Sequence, residues 1–191
     1  MIVNWCKESG LYPRIGTGKI DTYKLFADLG FALTRQNGFA SLVLPSGIYS
    51  DEGTLDLRES MFRETQYCRI IAIDNRGELF HIDTRSKFVL LCFQHAAGEH
   101  KIDAAFVLGQ DLAGNRRSPN AAELGEFLST IDAKYIELSR DLIAEFDPRL
   151  LVIPEFKNKR DVDLYTQINQ RFPKLIDRVE GSWSVELGSD R

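Results

Sequence analysis

Two short stretches carry residue types that could do chemistry. Glu155-Phe156-Lys157 is the Glu-x-Lys half of a metal-dependent nuclease site, and Asp141 or Asp147 could supply the earlier carboxylate. Carboxylates in such a site hold a divalent cation that activates water, while the lysine steadies developing charge. The spacing is common by chance, however, and Pro154 would break the strand that such a pair needs. Gly16-Thr17-Gly18-Lys19 invites comparison with a phosphate-binding loop. That comparison fails at Pro13, where a glycine is required, at Ile20, where a Ser or Thr is required, and for want of a preceding strand. What remains is an expected flexible, ligand-facing segment. His81, His95 and His100 have no metal spacing and read as ordinary surface or loop residues. Cys6, Cys68 and Cys92 are odd in number, and the last two sit in apolar runs. They read as buried free thiols of a reducing compartment.

Composition narrows the classes. The chain has 191 residues, 43% hydrophobic and 27% charged, which is the balance of a globular domain. A formal net charge of -4 gives no global field for nucleic acid, so any such affinity must be local. No apolar run reaches membrane-spanning length, and the N-terminus lacks a signal peptide's apolar core. A cytoplasmic protein with no membrane partner is expected.

The elements that must position any site emerge from periodicity. Met1 to Ile20 has no clear period and reads as a loop. Asp21 or Thr22 starts a helix whose predicted core face is Leu25, Phe26, Leu29, Ala32 and Leu33. Asn37-Gly38 stops it in a left-handed turn. Phe39 to Leu44 is then an almost uncharged run closed by Pro45. It suits a central strand covered on both faces, with Ser46-Gly47 as the loop at its C-terminal end, where ligands bind in open α/β sheets. A second helix runs from Asp51 to about Thr65, a second strand from Cys68 to Asp74, and a third from Lys87 to Phe93. The link between those strands is too short for a crossover helix, so the third is expected to be antiparallel to a neighbour. Lys101 to Leu108 reads as one more strand at the sheet's margin. A polar linker, Gly109 to Pro119, divides the chain into residues 1–108 and 109–191. Beyond it come helices at Asn120–Ser129, Ser139–Phe146 and Lys159–Arg171, and a strand-like Trp183, Val185 and Leu187.

Taken together, three pieces resemble a known family. They are Lys19-Ile20-Asp21-Thr22-Tyr23-Lys24-Leu25-Phe26, then Asn37-Gly38 through Leu44-Pro45, then Leu57-Arg58-Glu59 with Glu78-Leu79-Phe80 and the Phe88–Phe93 strand after it. Their order resembles the second half of the catalytic domain of N6-adenine DNA methyltransferases of type IIG restriction-modification and phage-defence systems. There a Tyr-x-x-Phe helix comes after the catalytic loop, a strand ends in Val-Pro or Leu-Pro, and a Leu-Arg pair marks the next helix. The stretch from Ile136 through Asp147-Pro148 to Glu155 is also similar to the region beyond these motifs in such enzymes.

The resemblance implies an α/β fold. It would be the second half of a Rossmann-like S-adenosylmethionine-dependent methyltransferase sheet, mixed, with an antiparallel last strand, plus a smaller mainly helical region over 109–191. It implies DNA as partner and S-adenosylmethionine as cofactor. It also implies that Phe80 stacks on a flipped adenine, with Tyr23, Pro45 and Ser46 at motif positions near the site. The family's glycine-rich cofactor loop and Asn-Pro-Pro-Tyr catalytic loop are missing from this sequence, which contains no Pro-Pro pair. That catalytic loop accepts hydrogen bonds from the adenine amine and localises its lone pair. The chain is therefore expected to contribute no catalytic residue and no metal, and to be inactive and a poor cofactor binder alone. Lacking the neighbouring strands, Phe39–Leu44 would lie near a raw edge and associate with a complementing N-terminal half or with itself. The alternatives are a non-catalytic module that contacts DNA or a partner, and the metal-dependent nuclease above.

Overall fold

The apolar runs of the sequence become neighbours in one sheet. β1 (Phe39–Pro45), β2 (Thr65–Asp74), β3 (Lys87–His95), β4 (Lys101–Val107) and β5 (Ile136–Ser139) pair in the order β1-β3-β2-β4-β5. The computed structural model describes residues 2–16, 19–98, 101–107 and 120–174. β3 runs antiparallel to both β1 and β2, as the short link before it requires. β4 is parallel to β2, and β5 antiparallel to β4. Strands β1, β2 and β4 thus share a direction, and their C-terminal ends line one edge of the sheet.

Side chains alternate between the two faces. On one face Cys68, Ile70 and Ala72 of β2 and Val89, Leu91 and Phe93 of β3 form the larger core. It is covered by α2 (Thr22–Leu33) and α4 (Leu55–Arg63), and the same cluster takes in Ile143 and Phe146 of α6 (Arg140–Phe146), Leu151, Ile153 and Phe156. On the other face Ile71, Ile73, Ala105 and Val107 meet Phe127 of α5 (Ala121–Ser129). A capping box between Asn120 and Glu123 starts α5, and the Asn158 side chain caps α7 (Lys159–Arg171).

Several expectations need correction. β1 is not central: among the described residues it pairs with β3 alone, and Phe39 and Val43 are 65% and 57% exposed. Helices cover only the face carrying Leu44. The buried face of α2 is Lys24, Ala27, Asp28 and Phe31, whereas Phe26 and Leu33 are 60% and 79% exposed. Asp28 is buried because Arg14 donates to it through both its backbone N–H and its guanidinium, at 3.2 and 2.8 Å. Lys24 Nζ reaches back to the Lys19 carbonyl at 2.9 Å. Asp21 has extended backbone, but its side chain makes no cap bond. The left-handed residue after α2 is Asn37, with φ 61°. Part of the expected N-terminal loop is helical, as α1 (Ile2–Glu8). α4 ends at Arg63, so Thr65 already belongs to β2. Residues 120–174 add strand β5 to their helices. The 109–119 linker and the Trp183–Leu187 strand lie outside the described residues.

Candidate functional site

β1 and β2 end on the same edge of the sheet, on either side of the start of β3, and the loops leaving them build a cavity of about 450 Å³. Pro45 and Ser46 line it from β1, Phe80 and Ile82 from the loop after β2, and Lys87 and Phe88 from the start of β3. Proline cannot extend the ladder, so the chain turns away at this point. Ser46 is anchored by its backbone, donating to the Lys87 carbonyl at 3.1 Å and accepting from Tyr49 N–H at 3.1 Å. Its hydroxyl makes no hydrogen bond among the described residues. The Phe80 ring is 42% exposed and meets Phe88 edge-on, centroids 4.9 Å apart.

Asn75, which opens the short turn after β2, fixes the Phe80 loop. It is fully buried. Its Nδ2 donates to the carbonyls of Phe80 at 2.9 Å and Ile82 at 3.2 Å, and its Oδ1 accepts from Phe80 N–H at 2.9 Å. A buried amide with those partners locks a loop that has no regular structure of its own. The only sequence signal for this role is the Asn-x-Gly turn.

The loop after β1 has a second support. It continues into the single helical turn α3 (Gly47–Ser50). Arg58 of α4, fully buried, donates to the carbonyls of Asp51 at 2.8 Å, Ile48 at 3.3 Å and Leu150 at 2.6 Å. Burial lowers its pKa to about 10, opposed by the attraction of Asp147 and Asp51. Tyr23 does not line the cavity. Its hydroxyl donates to Asp51 Oδ2 at 3.2 Å and rests against Gly47, where a Cβ would sit 2.6 Å from it. Burial, with Asp51 nearby, pushes the Tyr23 pKa up.

Glu155 joins this region from far along the chain. Its carboxylate accepts from Tyr49 Oη at 2.5 Å and from Lys87 Nζ at 2.8 Å. Burial and that bond push the Tyr49 pKa up, so the phenol stays a donor. Glu155 is thereby committed, and Asp147 Oδ1 accepts from the N–H groups of Arg149 and Leu150. The structure does not bring Asp141, Asp147 and Glu155 together. Among the described residues no group of three or more His, Cys, Asp or Glu could hold a metal ion. His95 Nδ1 lies 2.6 Å from the Thr34 carbonyl, and His81 is exposed. Cys6 and Cys68 are buried free thiols and Cys92 is half-buried. No described helix is long and apolar enough to cross a membrane.

The outer margin of β1 is a second feature. Phe26, Leu29 and Leu33 of α2 face Phe39 and Leu42 across a groove of about 850 Å³. Gly30 permits this approach, since a Cβ there would meet the Leu42 side chain at 2.8 Å.

Residues 7–80 match the family model of the Eco57I restriction-modification methylase. A search of curated proteins returns no match. The fold is that of methyltransferase subunits. The chain is similar to the type I restriction-modification system methyltransferase subunit from Streptococcus thermophilus, at TM-score 0.56 and 16% identity over 81% of this chain and 34% of that one. It is also similar to the M protein of the type I restriction enzyme EcoKI, at TM-score 0.53 and 11% identity over 80% and 43%. A third likeness is to DrdV in complex with DNA, at TM-score 0.52 and 14% identity over 73% and 15%. The chain thus spans about a third of the length of the first of these.

Proposed function

We propose, from the match of residues 7–80 to a restriction-modification methylase family, that this chain is the target-base part of an N6-adenine DNA methyltransferase that uses S-adenosylmethionine. The carrying observation is Phe80, a half-exposed ring over the cavity beside Pro45 and Ser46. An adenine inside a duplex cannot reach a methyl donor, so it must leave the stack and be held on an aromatic or apolar face. Phe80 and Ile82 offer such a surface, and Lys87 and the Ser46 hydroxyl offer polar contacts beside it. Tyr23 and Arg58 act indirectly, by holding the loop that carries Pro45 and Ser46.

The donor's cradle is not built from these residues. Among the described residues lining the cavity there is no carboxylate to accept from a ribose, the usual device for a nucleoside cofactor. Nor do they include the acceptors that would localise the adenine lone pair. The donor when bound supplies an electrophilic methyl group, and this chain's own part is to hold and orient the base. Alone it is inactive and binds the donor weakly or not at all.

The β1 edge, unpaired on its outer side among the described residues, and the apolar groove beside it suit the complementing N-terminal part of a methylase. Unpaired strand groups and exposed Phe26, Leu33 and Phe39 would be covered by an added strand and helix. Such an assembly would act on DNA in the cytoplasm.

A single-stranded oligonucleotide carrying 2-aminopurine tests the base site. The chain should change the probe's emission, and Phe80→Ala should weaken binding about 5- to 150-fold, the range of about 1–3 kcal/mol per stacked base. Unchanged binding in Phe80→Ala would overturn the stacking role. Robust methyl transfer by the purified chain would overturn its dependence on a complement.

A further inference from the structure

The edge that holds the Phe80 cavity carries a second one, of about 480 Å³, at the C-terminal end of β4. Ala105, Phe106, Val107 and Tyr135 line it together with Lys134, Lys157 and Lys159. All three lysines are exposed, and none forms an ion pair among the described residues. Lys134 Nζ lies over the Phe127 ring at 4.8 Å, a contact that positions the ammonium without neutralising its charge. Glu155 also lines this cavity, but its charge is matched by Lys87 at 2.8 Å. The Asp161 carboxylate accepts from the Lys157 backbone N–H. The Lys87–Glu155 pair bridges the two cavities, Lys87 lining the first and Glu155 the second. β1 and β4 are separated by two strands, so the two sites lie roughly 14 Å apart along one edge.

We infer that this second cavity seats the phosphate backbone of the nucleic acid whose base enters beside Phe80. The chain's net charge of -4 repels a polyanion, so attraction has to come from a local cluster. Three uncompensated ammonium groups around a concave site on the same edge as the base cavity form such a cluster. Lysines there position the strand without reading its sequence. The inference rests on the nucleic-acid reading above, and its test separates the two.

The test measures affinity of the full chain for a fluorescent mixed-sequence duplex across a salt series. Each phosphate contact contributes about 0.9 to the slope of log K against log salt. Lys134→Gln/Lys157→Gln/Lys159→Gln should flatten that slope by about 2 to 3 and weaken low-salt binding at least about tenfold. The matching Lys→Arg triple variant should restore the slope. Arg35→Gln/Arg63→Gln/Lys101→Gln removes the same charge from the opposite edge, where β1, β2 and β4 begin, and should leave the slope unchanged. The inference is overturned if the two Gln variants fall alike, if the lysine variant keeps the original slope, or if the unaltered chain shows no salt-dependent binding. Phe80→Ala should leave the slope intact. If it also leaves the 2-aminopurine signal intact, the base reading fails while the phosphate site stands.

Discussion

Asn75 grips Phe80 from both sides of its peptide: the amide donates to the Phe80 carbonyl at 2.9 Å, and the side-chain carbonyl accepts from the Phe80 N–H at 2.9 Å. The backbone beneath the ring is therefore held at both its N–H and its carbonyl, which suits a surface on which a planar ligand is to stack. Asn75→Ala strands those groups in a buried site. The expected cost is about 1–3 kcal/mol, with faster amide exchange at Phe80 than at β3. Denaturant melts with hydrogen-exchange mass spectrometry check it, and equal protection of Phe80 in both proteins would refute it.

Arg58→Lys should fail where a conservative change would ordinarily pass. The guanidinium serves Leu150, Ile48 and Asp51 at once, and a single ammonium cannot reproduce that fork. A loss on the order of 2–4 kcal/mol is expected from carbonyls left unpaired in the core. Thermal unfolding measures it. A shift of less than about 2 °C would show that the fork is dispensable.

The open margin predicts association. Phe26→Lys with Leu33→Lys places charge where apolar surface lines the groove beside β1, without touching buried contacts. Light scattering over a concentration series should show association for the original chain and a monomer for the variant. Unfolding free energies should differ by no more than about 0.5 kcal/mol. A monomeric original chain at every concentration would remove the basis for self-association through this groove.

Acid should loosen the junction of the N-terminal segment with α2 and α4. Burial alone would raise the Glu64 pKa, but hydrogen bonds from Arg14 and Ser60 outweigh it and the pKa is lowered. A carboxylate with a depressed folded-state pKa contributes stability at pH above its unfolded value of about 4.3, and that contribution disappears as pH falls through the folded value. Because Glu64 is partly open to solvent, the effect should stay below about 1 kcal/mol. Urea midpoints from about pH 6 to about pH 3 should fall less steeply in Glu64→Gln than in the original chain. Parallel slopes would dismiss the link.

The strands are legible in the sequence because continuous apolar runs bounded by Pro45, by Asn75-Arg76-Gly77 and by Lys87 have few other uses. The antiparallel hairpin is dictated by loop length alone. α2 misleads for a physical reason. Its apolar periodicity marks Phe26 and Leu33, which lie outside the core, while two charged residues, Lys24 and Asp28, are buried. Nothing local betrays a buried Asp28, because its partner Arg14 lies 14 residues away on another element. The apolarity of β1 suggests a central strand, yet it equally fits an edge that needs covering. At the site, the Pro45 turn and the Phe80 position are readable in advance. Asn75, Glu155 and the three lysines are not, since their roles depend on which segments the sheet brings together.

The Arg58–Leu150 bond spans 92 positions of sequence. A ribosome adding about 5–20 residues per second needs roughly 5 to 20 s to deliver Leu150 after Arg58. During that interval the loop carrying Ser46 and Gly47 lacks its deepest anchor, and the Tyr49 hydroxyl lacks Glu155. β1 through β3 can pair at once, so nascent chains would carry a formed sheet edge with an unfinished binding loop. A chaperone at the ribosome would meet this protein first as that half-set intermediate.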